Sequence, residues 1–390
     1  LVQIQGLAPR ERQTNQDQLD HFSKEVSRQM KIPGAILADW SDAFFWLSKQ
    51  FENKSVFIFL DEISWLGRHD PDFPGKLKIA WDLHFSKNRK LRLALCGSVS
   101  SWIEKNILNS TDFLGRISLQ IRLKELPLSD VDAFWAARKT RVSDLEKLRI
   151  LNLTGGIPKY LEEIDYSSSA EQNYRDLCFS KDGFLFQEFY RIFNDIFERR
   201  SDAYLKIVRV LSLGPKTLIQ IAKNSKLPHN NVLSEYVKDL ELSGFIRKET
   251  MWDLATRKTT PKIARYRIID CYLRFFLKFI EPNFKKIEQG LFDTVAIERL
   301  PEFDIFTGLQ FETLILNNLK QVLSILKIPF SSVENMGPFL QVKSARRKPC
   351  QIDLLIQTKT SHYVCELKAR KKVSIDVIDE VKKKIAALKY

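Results

Sequence analysis

Val56-Phe-Ile-Phe-Leu60 is a run of five apolar residues, closed by Asp61-Glu62. An unbroken apolar run this short suits a strand buried on both faces of a parallel sheet. A second run, Leu91–Leu95, closes on Cys96-Gly97-Ser98, and the spacing predicts a helix over 76–88 between the two. Strand, helix, strand, with polar residues at each strand's carboxyl end, is the pattern of a doubly wound α/β sheet, whose ligands bind at those ends. Upstream, Leu1–Ile4 reads as another strand. Residues 17–30 read as a helix with Leu19, Phe22, Val26 and Met30 on one face, and Trp40–Phe51 as a helix presenting Phe44, Leu47 and Phe51.

Downstream the pattern becomes helical from Leu128 to Arg200, broken by Thr154-Gly-Gly-Ile-Pro158. Three short helices follow (203–213, 217–225 and 231–242), then a strand pair, 245–249 and 265–269, around a basic segment. That order predicts a winged helix-turn-helix. Residues 271–300 read as a helical connector containing Pro282. The last unit combines helix 306–325, strands 328–333, 338–343, 351–357 and 362–367, and a final helix over 374–389. The expected organisation is a sheet domain over 1–127, a helical lid over 128–200, the winged helix over 201–270, the connector over 271–300 and an α+β domain over 301–390.

The 390 residues are 44% apolar and 28% charged, a balance that fits folded domains and argues against wholesale disorder. No apolar run reaches the roughly 20 residues of a membrane helix. The longest, Tyr272–Ile280, carries Arg274 and Lys278. The five cysteines are widely spaced with no C-x-x-C, so a disulfide framework or zinc ribbon is not expected. With no secretory leader in the opening residues, a cytoplasmic protein is the expectation. The net charge of +14 is unevenly spread. Residues 1–200 hold 29 Lys and Arg against 28 Asp and Glu; residues 201–390 hold 33 against 20. A basic half invites a polyanion, most often nucleic acid.

Four segments carry chemistry in the first half. An acid at the tip of a buried strand followed by a second acid, as in Asp61-Glu62, matches the Walker B pattern. There the first acid fixes Mg²⁺ on a nucleotide and the second directs the attacking water. Ser98 stands at the neighbouring strand tip, where a γ-phosphate sensor would sit. Arg116, in Phe113-Leu-Gly-Arg116, could reach a phosphate as an arginine finger, in cis or in a homo-oligomer. The fourth segment is the Gly155-Gly156 loop. Each has a plain structural alternative: a polar turn, a glycine turn, a surface arginine.

In this order, FIFLDE, LALCGS, FLGR and GGIPKYL resemble the motifs of the archaeal-type AAA+ ATPases of the MNS clade of P-loop NTPases, and the resemblance extends along the chain. It implies ATP and Mg²⁺ as ligands, with Asp61 holding the metal, Glu62 activating water, Ser98 sensing phosphate and Arg116 as the finger. One departure matters. That family carries a Walker A loop, G-x-x-x-x-G-K-[ST], whose N–H groups cradle the phosphates; these 390 residues contain none. The expectation is that it lies upstream of Leu1. A degenerate, inactive ATPase is the other reading.

At the C-terminus, Glu312, Asp353, and Glu366-x-Lys368 follow in order on predicted α-β-β-β-α elements. This resembles the PD-(D/E)xK nuclease fold, in which the acids hold Mg²⁺ and the lysine positions water or stabilises phosphate charge. The resemblance makes Asp353 and Glu366 the metal ligands. The alternative is an amphipathic strand with an E-x-K pair facing solvent. For DNA, helix 231–242 is poor chemistry, with Lys238 set against Glu235, Asp239 and Glu241. The basic candidates are Lys216, Lys223 and Lys226 before it, and Lys248, Arg257, Lys258 and Arg265 in the wing. The function expected is an AAA+-type ATPase coupled to a DNA-directed C-terminal region. The alternatives are a metal-dependent nuclease or DNA-binding protein with a regulatory or inactive ATPase half, and a nucleotide-switched scaffold for a protein partner.

Overall fold

A computed structural model describes residues 1–97, 100–137, 142–197, 201–343, 348–369 and 374–388. The chain divides into two compact units, Leu1–Arg122 and Leu123–Tyr390.

The first unit runs β1 (Val2–Gln5), α1 (Asn15–Met30), α2 (Trp40–Lys49), β2 (Val56–Asp61), α3 (Ile63–Leu66), α4 (Phe73–Leu83), β3 (Leu91–Leu95) and α5 (Ser100–Ile103). The strands pair in parallel, in the order β1-β2-β3, with Ile4 opposite Leu60 and Leu60 opposite Leu95. Thr14 and Asp17 close a capping box at the start of α1, and Asp39 caps α2. The apolar stripes of α1 and α2 fill one side of the sheet: Phe22, Val26, Phe44 and Leu47 are buried with Ile4, Ile58 and Leu60. The expectation of a strand buried on both faces is corrected here. Along β2, Val56, Ile58 and Leu60 are buried, but Phe57 is 44% exposed and Phe59 half-buried. The alternation shows that the face of β2 carrying Phe57 and Phe59 is covered less than the face carrying Val56, Ile58 and Leu60. Helix 76–88 is likewise corrected to α4 plus a 3₁₀ turn at Phe85–Lys87.

The second unit begins with helices α6 (Leu128–Ala137), α7 (Asp144–Thr154), α8 (Pro158–Glu162), α9 (Ala170–Cys178) and α10 (Phe184–Phe197). Three more follow: α11 (Ser201–Ser212), α12 (Leu218–Ser225) and α13 (Asn231–Leu242). Next comes an antiparallel hairpin of β4 (Ile246–Trp252) and β5 (Thr259–Ile268), in which Ile246 faces Ile268. Then come α14 (Cys271–Phe275), α15 (Phe284–Glu288), α16 (Phe303–Asn317) and α17 (Leu319–Ile325). An antiparallel sheet in the order β6-β7-β8 (Val333–Gln341, Cys350–Thr358, His362–Cys365) and α18 (Ile375–Ala387) close the chain. The helix predicted over 306–325 breaks at Asn318, whose side chain accepts from Leu128 N and donates to Leu314 O. Of the two strands predicted over 328–333 and 338–343, the first is corrected to a loop and a 3₁₀ turn at Phe330–Ser332, and the second is part of β6, whose register is irregular at Asn335 and Phe339. Pro338 is tolerated because β6 is an edge strand.

One apolar cluster runs from Val131 to Leu314, with Tyr272, Phe275, Phe276, Phe279 and Ile280 inside it. Arg274, which argued against a membrane segment, is 2% exposed in this core. Its guanidinium donates to Ile268 O (2.6 Å), Thr313 Oγ1 (3.0 Å) and Gln310 Oε1. Gln310 in turn donates to Asn152 O (2.6 Å) and Cys271 O (2.8 Å). This network ties the end of β5, the last turn of α7 and the start of α14 to the middle of α16, and its acceptors for the terminal nitrogens of Arg274 offset a charge that is costly to bury.

Beside it, Glu125 lies against the Gly155-Gly156 turn. Leu126 N donates to Gly156 O at 2.8 Å, and a Cβ on Gly156 would stand 2.1 Å from Leu126 O, so only glycine fits. Burial, then the nearby Asp270 carboxylate, pushes the Glu125 carboxyl up to about 7 from the usual 4.5. Burial likewise holds Asp270 at about 6. The folded chain therefore keeps protons that the unfolded chain has released, and these groups make stability fall as pH rises from about 4 to about 7. Glu125→Gln should flatten that dependence and raise the melting temperature at pH 8 by several degrees relative to the parent. Thermal unfolding at pH 5 and pH 8 checks it; equal slopes in parent and variant would contradict the assignment.

Candidate functional site

Each unit places a group of acids at a strand end. In the first, Asp61 ends β2, and its main-chain carbonyl accepts from Gly6 N at 3.0 Å. Its Oδ1 accepts from the N–H of Glu62 at 3.0 Å. Glu62 has φ +47, a left-handed conformation rare for a residue with a side chain, and leads directly into α3. Gly6 makes room for this turn: a Cβ there would lie 2.8 Å from Glu62 O and 2.9 Å from Trp65 Cβ. Cys96 continues the parallel ladder beside Asp61. Its N–H donates to Leu60 O and its carbonyl accepts from Ile63 N, both at 2.9 Å. Because Leu60 pairs with Leu95, the next pair, Asp61 and Cys96, shares one face of the sheet. Partial burial, then the Asp61 and Glu62 carboxylates, pushes the Cys96 thiol up. Asp61 and Glu62 are hard oxygen donors of the kind Mg²⁺ takes. Ser98 lies outside the described residues.

Arg116 is engaged within its own unit. Its Nε and a terminal nitrogen donate to the two carboxylate oxygens of Asp82, at 2.7 and 2.9 Å. Arg116, with Lys78 beside it, holds the Asp82 carboxyl down to about 2. A bidentate pair of this kind has to open before Arg116 can reach a phosphate.

In the second unit, Asp353 sits in β7 and Glu366 directly after β8. The pairing of Leu354 with Cys365 sets the two acids opposite each other. Asp353 Oδ2 accepts from Leu367 N at 3.0 Å. Burial, then the charges of Glu366 and Glu312, holds the Asp353 carboxyl up at about 6. The Glu366 side chain is only 3% exposed, with Oε1 2.7 Å from Lys368 Nζ and Oε2 2.5 Å from Lys384 Nζ. These lysines hold its carboxyl below the usual range against the opposing effect of burial. Glu312 turns to the hairpin, where its Oε2 accepts from Arg267 at 2.9 Å. Sequence reasoning does not find Lys384, and it places Arg267 with the basic residues of the wing, whereas Arg267 is buried against Glu249 and Glu312. The one available signal was Glu380-x-x-x-Lys384 in the last helix, a spacing that puts both on one face. Among the described residues no three His, Cys, Asp or Glu side chains are grouped so as to hold a metal ion. Asp353 and Glu366 fit a divalent cation by type, but the oxygens of Glu366 are already engaged by ammonium groups.

The basic candidates fall into two sets. Lys223, Lys226, Lys248 and Lys258 are exposed, and Lys216 is half-buried beside Tyr266. Arg257 is drawn to Glu334 (2.8 Å) and to Lys359 O (3.1 Å). Arg265 is corrected as a candidate for phosphate contact: it is 7% exposed and points at Glu249, which also accepts from Arg267 at 2.6 Å. The hairpin that carries these residues is clamped to the C-terminal sheet. Trp252 packs edge-on to Phe339 at 5.3 Å within a cluster that includes Leu254, Ile352, Leu355 and Leu388. Gln357 Nε2 donates to Leu254 O at 2.8 Å, and Asn335 Nδ2 to Arg257 O at 3.1 Å.

Residues 276–384 match the DUF234 family, described as archaeal and bacterial proteins of unknown function. An uncharacterized protein of Methanocaldococcus jannaschii, MJECL04, is 26% identical over 341 residues, 87% of this chain and 71% of that protein. Among solved structures, the Walker-type ATPase paby2304 of Pyrococcus abyssi superposes with a TM-score of 0.50 at 17% identity, covering 71% of this chain and 84% of that one. The ORC1 protein of Aeropyrum pernix, solved in complex with DNA, matches at a TM-score of 0.34 and 12% identity, covering 74% and 80%. At that score the second match carries no structural weight. The first shows a shared mixed α/β fold. No helix among the described residues is long and apolar enough to cross a membrane.

The clamp on the hairpin has a measurable consequence. Trp252→Ala should cost about 3–5 kcal/mol, as a buried aromatic truncation does, read as a lower denaturant midpoint. An unchanged midpoint would mean that the hairpin is free of the sheet.

Proposed function

We propose that this chain is the greater part of an AAA+-type ATPase whose C-terminal region is directed at DNA. The observation that carries the reading is the acid pair Asp61-Glu62 at the carboxyl end of β2, beside the Cys96-Gly97 tip of β3, in a fold shared with a Walker-type ATPase. Bound there, Mg²⁺ neutralises charge on the phosphates of ATP. Asp61 would hold the metal, and Glu62 would orient the attacking water and accept its proton. Ser98 senses the γ-phosphate. Arg116 acts as the finger once Asp82 lets it go, in trans if the protein assembles with itself. On this reading residues 128–200 form the lid, α11–α13 with the β4–β5 hairpin form a winged helix, and DNA contact falls to the exposed Lys223, Lys226, Lys248 and Lys258. The phosphate cradle is not among these residues, so the test uses the native full-length protein. There, Glu62→Gln should retain ATP binding and lower turnover at least about a hundredfold. Turnover at the parental rate would sink the assignment.

A second reading is favoured by the convergence of Asp353, Glu366 and Lys368: a PD-(D/E)xK-like centre that cleaves DNA with a divalent metal. It predicts Mg²⁺- or Mn²⁺-dependent nicking of plasmid DNA that disappears in Asp353→Ala. Nicking that persists in the variant, or none by the parent with either metal, rejects it.

A further inference from the structure

The Glu366 carboxylate is almost fully buried and is held from two directions. Lys368, two residues on in the chain, takes Oε1, and Lys384, from the last turn of α18, takes Oε2. Both lysines also face Glu380, at 3.8 and 3.3 Å. The end of α18 that carries Lys384 is itself fixed. Gln341 Nε2 donates to Ala387 O at 2.8 Å and to Lys348 O at 2.7 Å, and the Cys350 thiol donates to Lys384 O at 3.6 Å. Lys384 is therefore held at Glu366 by its main chain as well as by its charge.

With Asp353 and Glu366 set against Lys368 and Lys384, the core of the site carries two negative and two positive charges. A buried carboxylate demands such compensation. A divalent cation would supply the same compensation and needs the same oxygens. The motif provides only Lys368; Lys384 is an additional cation from a different element.

We propose that Lys384 is a tethered counter-ion occupying the position a divalent metal would take at Glu366, so that metal binds at Asp353–Glu366 only when the Lys384 ammonium withdraws from Oε2. The proposal rests on the second functional reading only in taking Asp353 and Glu366 as the metal's ligands. It makes Lys384 a positioning residue, acting through Glu366 and setting metal affinity.

The test is Mn²⁺ binding to the whole chain, followed by the loss of the free-ion resonance signal. Lys384→Met keeps the side chain's length and removes its charge, and should bind Mn²⁺ about tenfold tighter than the parent or more. Lys384→Arg should stay within about threefold of the parent, because the cation remains. Adding Glu366→Gln to Lys384→Met should abolish the gain. Parental affinity in Lys384→Met, with its thermal transition intact, overturns the proposal. So does a gain that survives Glu366→Gln. If Lys384→Met fails to fold, Lys384→Gln replaces it under the same criteria. DNA nicking is scored separately. Tighter Mn²⁺ binding without nicking leaves the counter-ion in place and removes the nuclease reading. Nicking by the parent, with affinity indifferent to Lys384, does the reverse.

Discussion

A carboxylate at the end of a buried strand has to be compensated, and both candidate centres are built around that constraint. Asp61 ends β2, whereas Asp353 stands within β7 between Ile352 and Leu354, opposite Glu366 at the end of β8; each aspartate takes a main-chain N–H, from Glu62 and from Leu367. The two sites diverge in what supplies the rest. Around Asp61 the neighbours include Glu62 and the Cys96 thiol. Around Asp353 and Glu366 the chain brings its own cations, Lys368 and Lys384. On the proposals made above, the first arrangement leaves its oxygens to an external metal, and the second sets its own lysines against one.

The same economy of charge governs the interior of the second unit. Arg274 is fully buried, yet carbonyl and side-chain acceptors from β5 and α16 meet its guanidinium. Arg267 is nearly as buried, held between Glu249 and Glu312. These arginines inflate the positive charge of residues 201–390 without adding to the basic surface. The count of Lys and Arg therefore overstates the basic surface a phosphate backbone would meet, although Glu249 and Asp270 are buried with these arginines and the net charge barely changes. The hairpin's clamp on the C-terminal sheet has a related effect, since its tip is committed to Glu334 and Lys359.

Much of the architecture is legible in the residues. The apolar runs 56–60 and 91–95 are adjacent parallel strands, Phe22 and Val26 face the core, and 201–268 folds as three helices and a hairpin. Local periodicity carries that information. What the sequence hides depends on tertiary coverage. Phe57 looks like core and is 44% exposed, because whether a second layer lies over a strand is not written in the strand. Arg265 looks like a phosphate ligand and is buried, because its partner Glu249 lies across the hairpin. Lys384 is missed because it reaches the E-x-K site from a helix whose own sequence is plainly amphipathic. Residues 334–337 lie between the strands predicted at 328–333 and 338–343, yet they belong to the edge strand β6, where the register is irregular.

The claim at the centre of this account is that the β2 tip holds the metal of a bound nucleotide. The most direct measurement is the Mg²⁺ dependence of ATP affinity in the native full-length protein and in its Asp61→Asn variant. The account predicts that Mg²⁺ strengthens ATP binding in the parent and ceases to do so in the variant. An Asp61→Asn protein whose ATP affinity still responds to Mg²⁺ as the parent's does would contradict it.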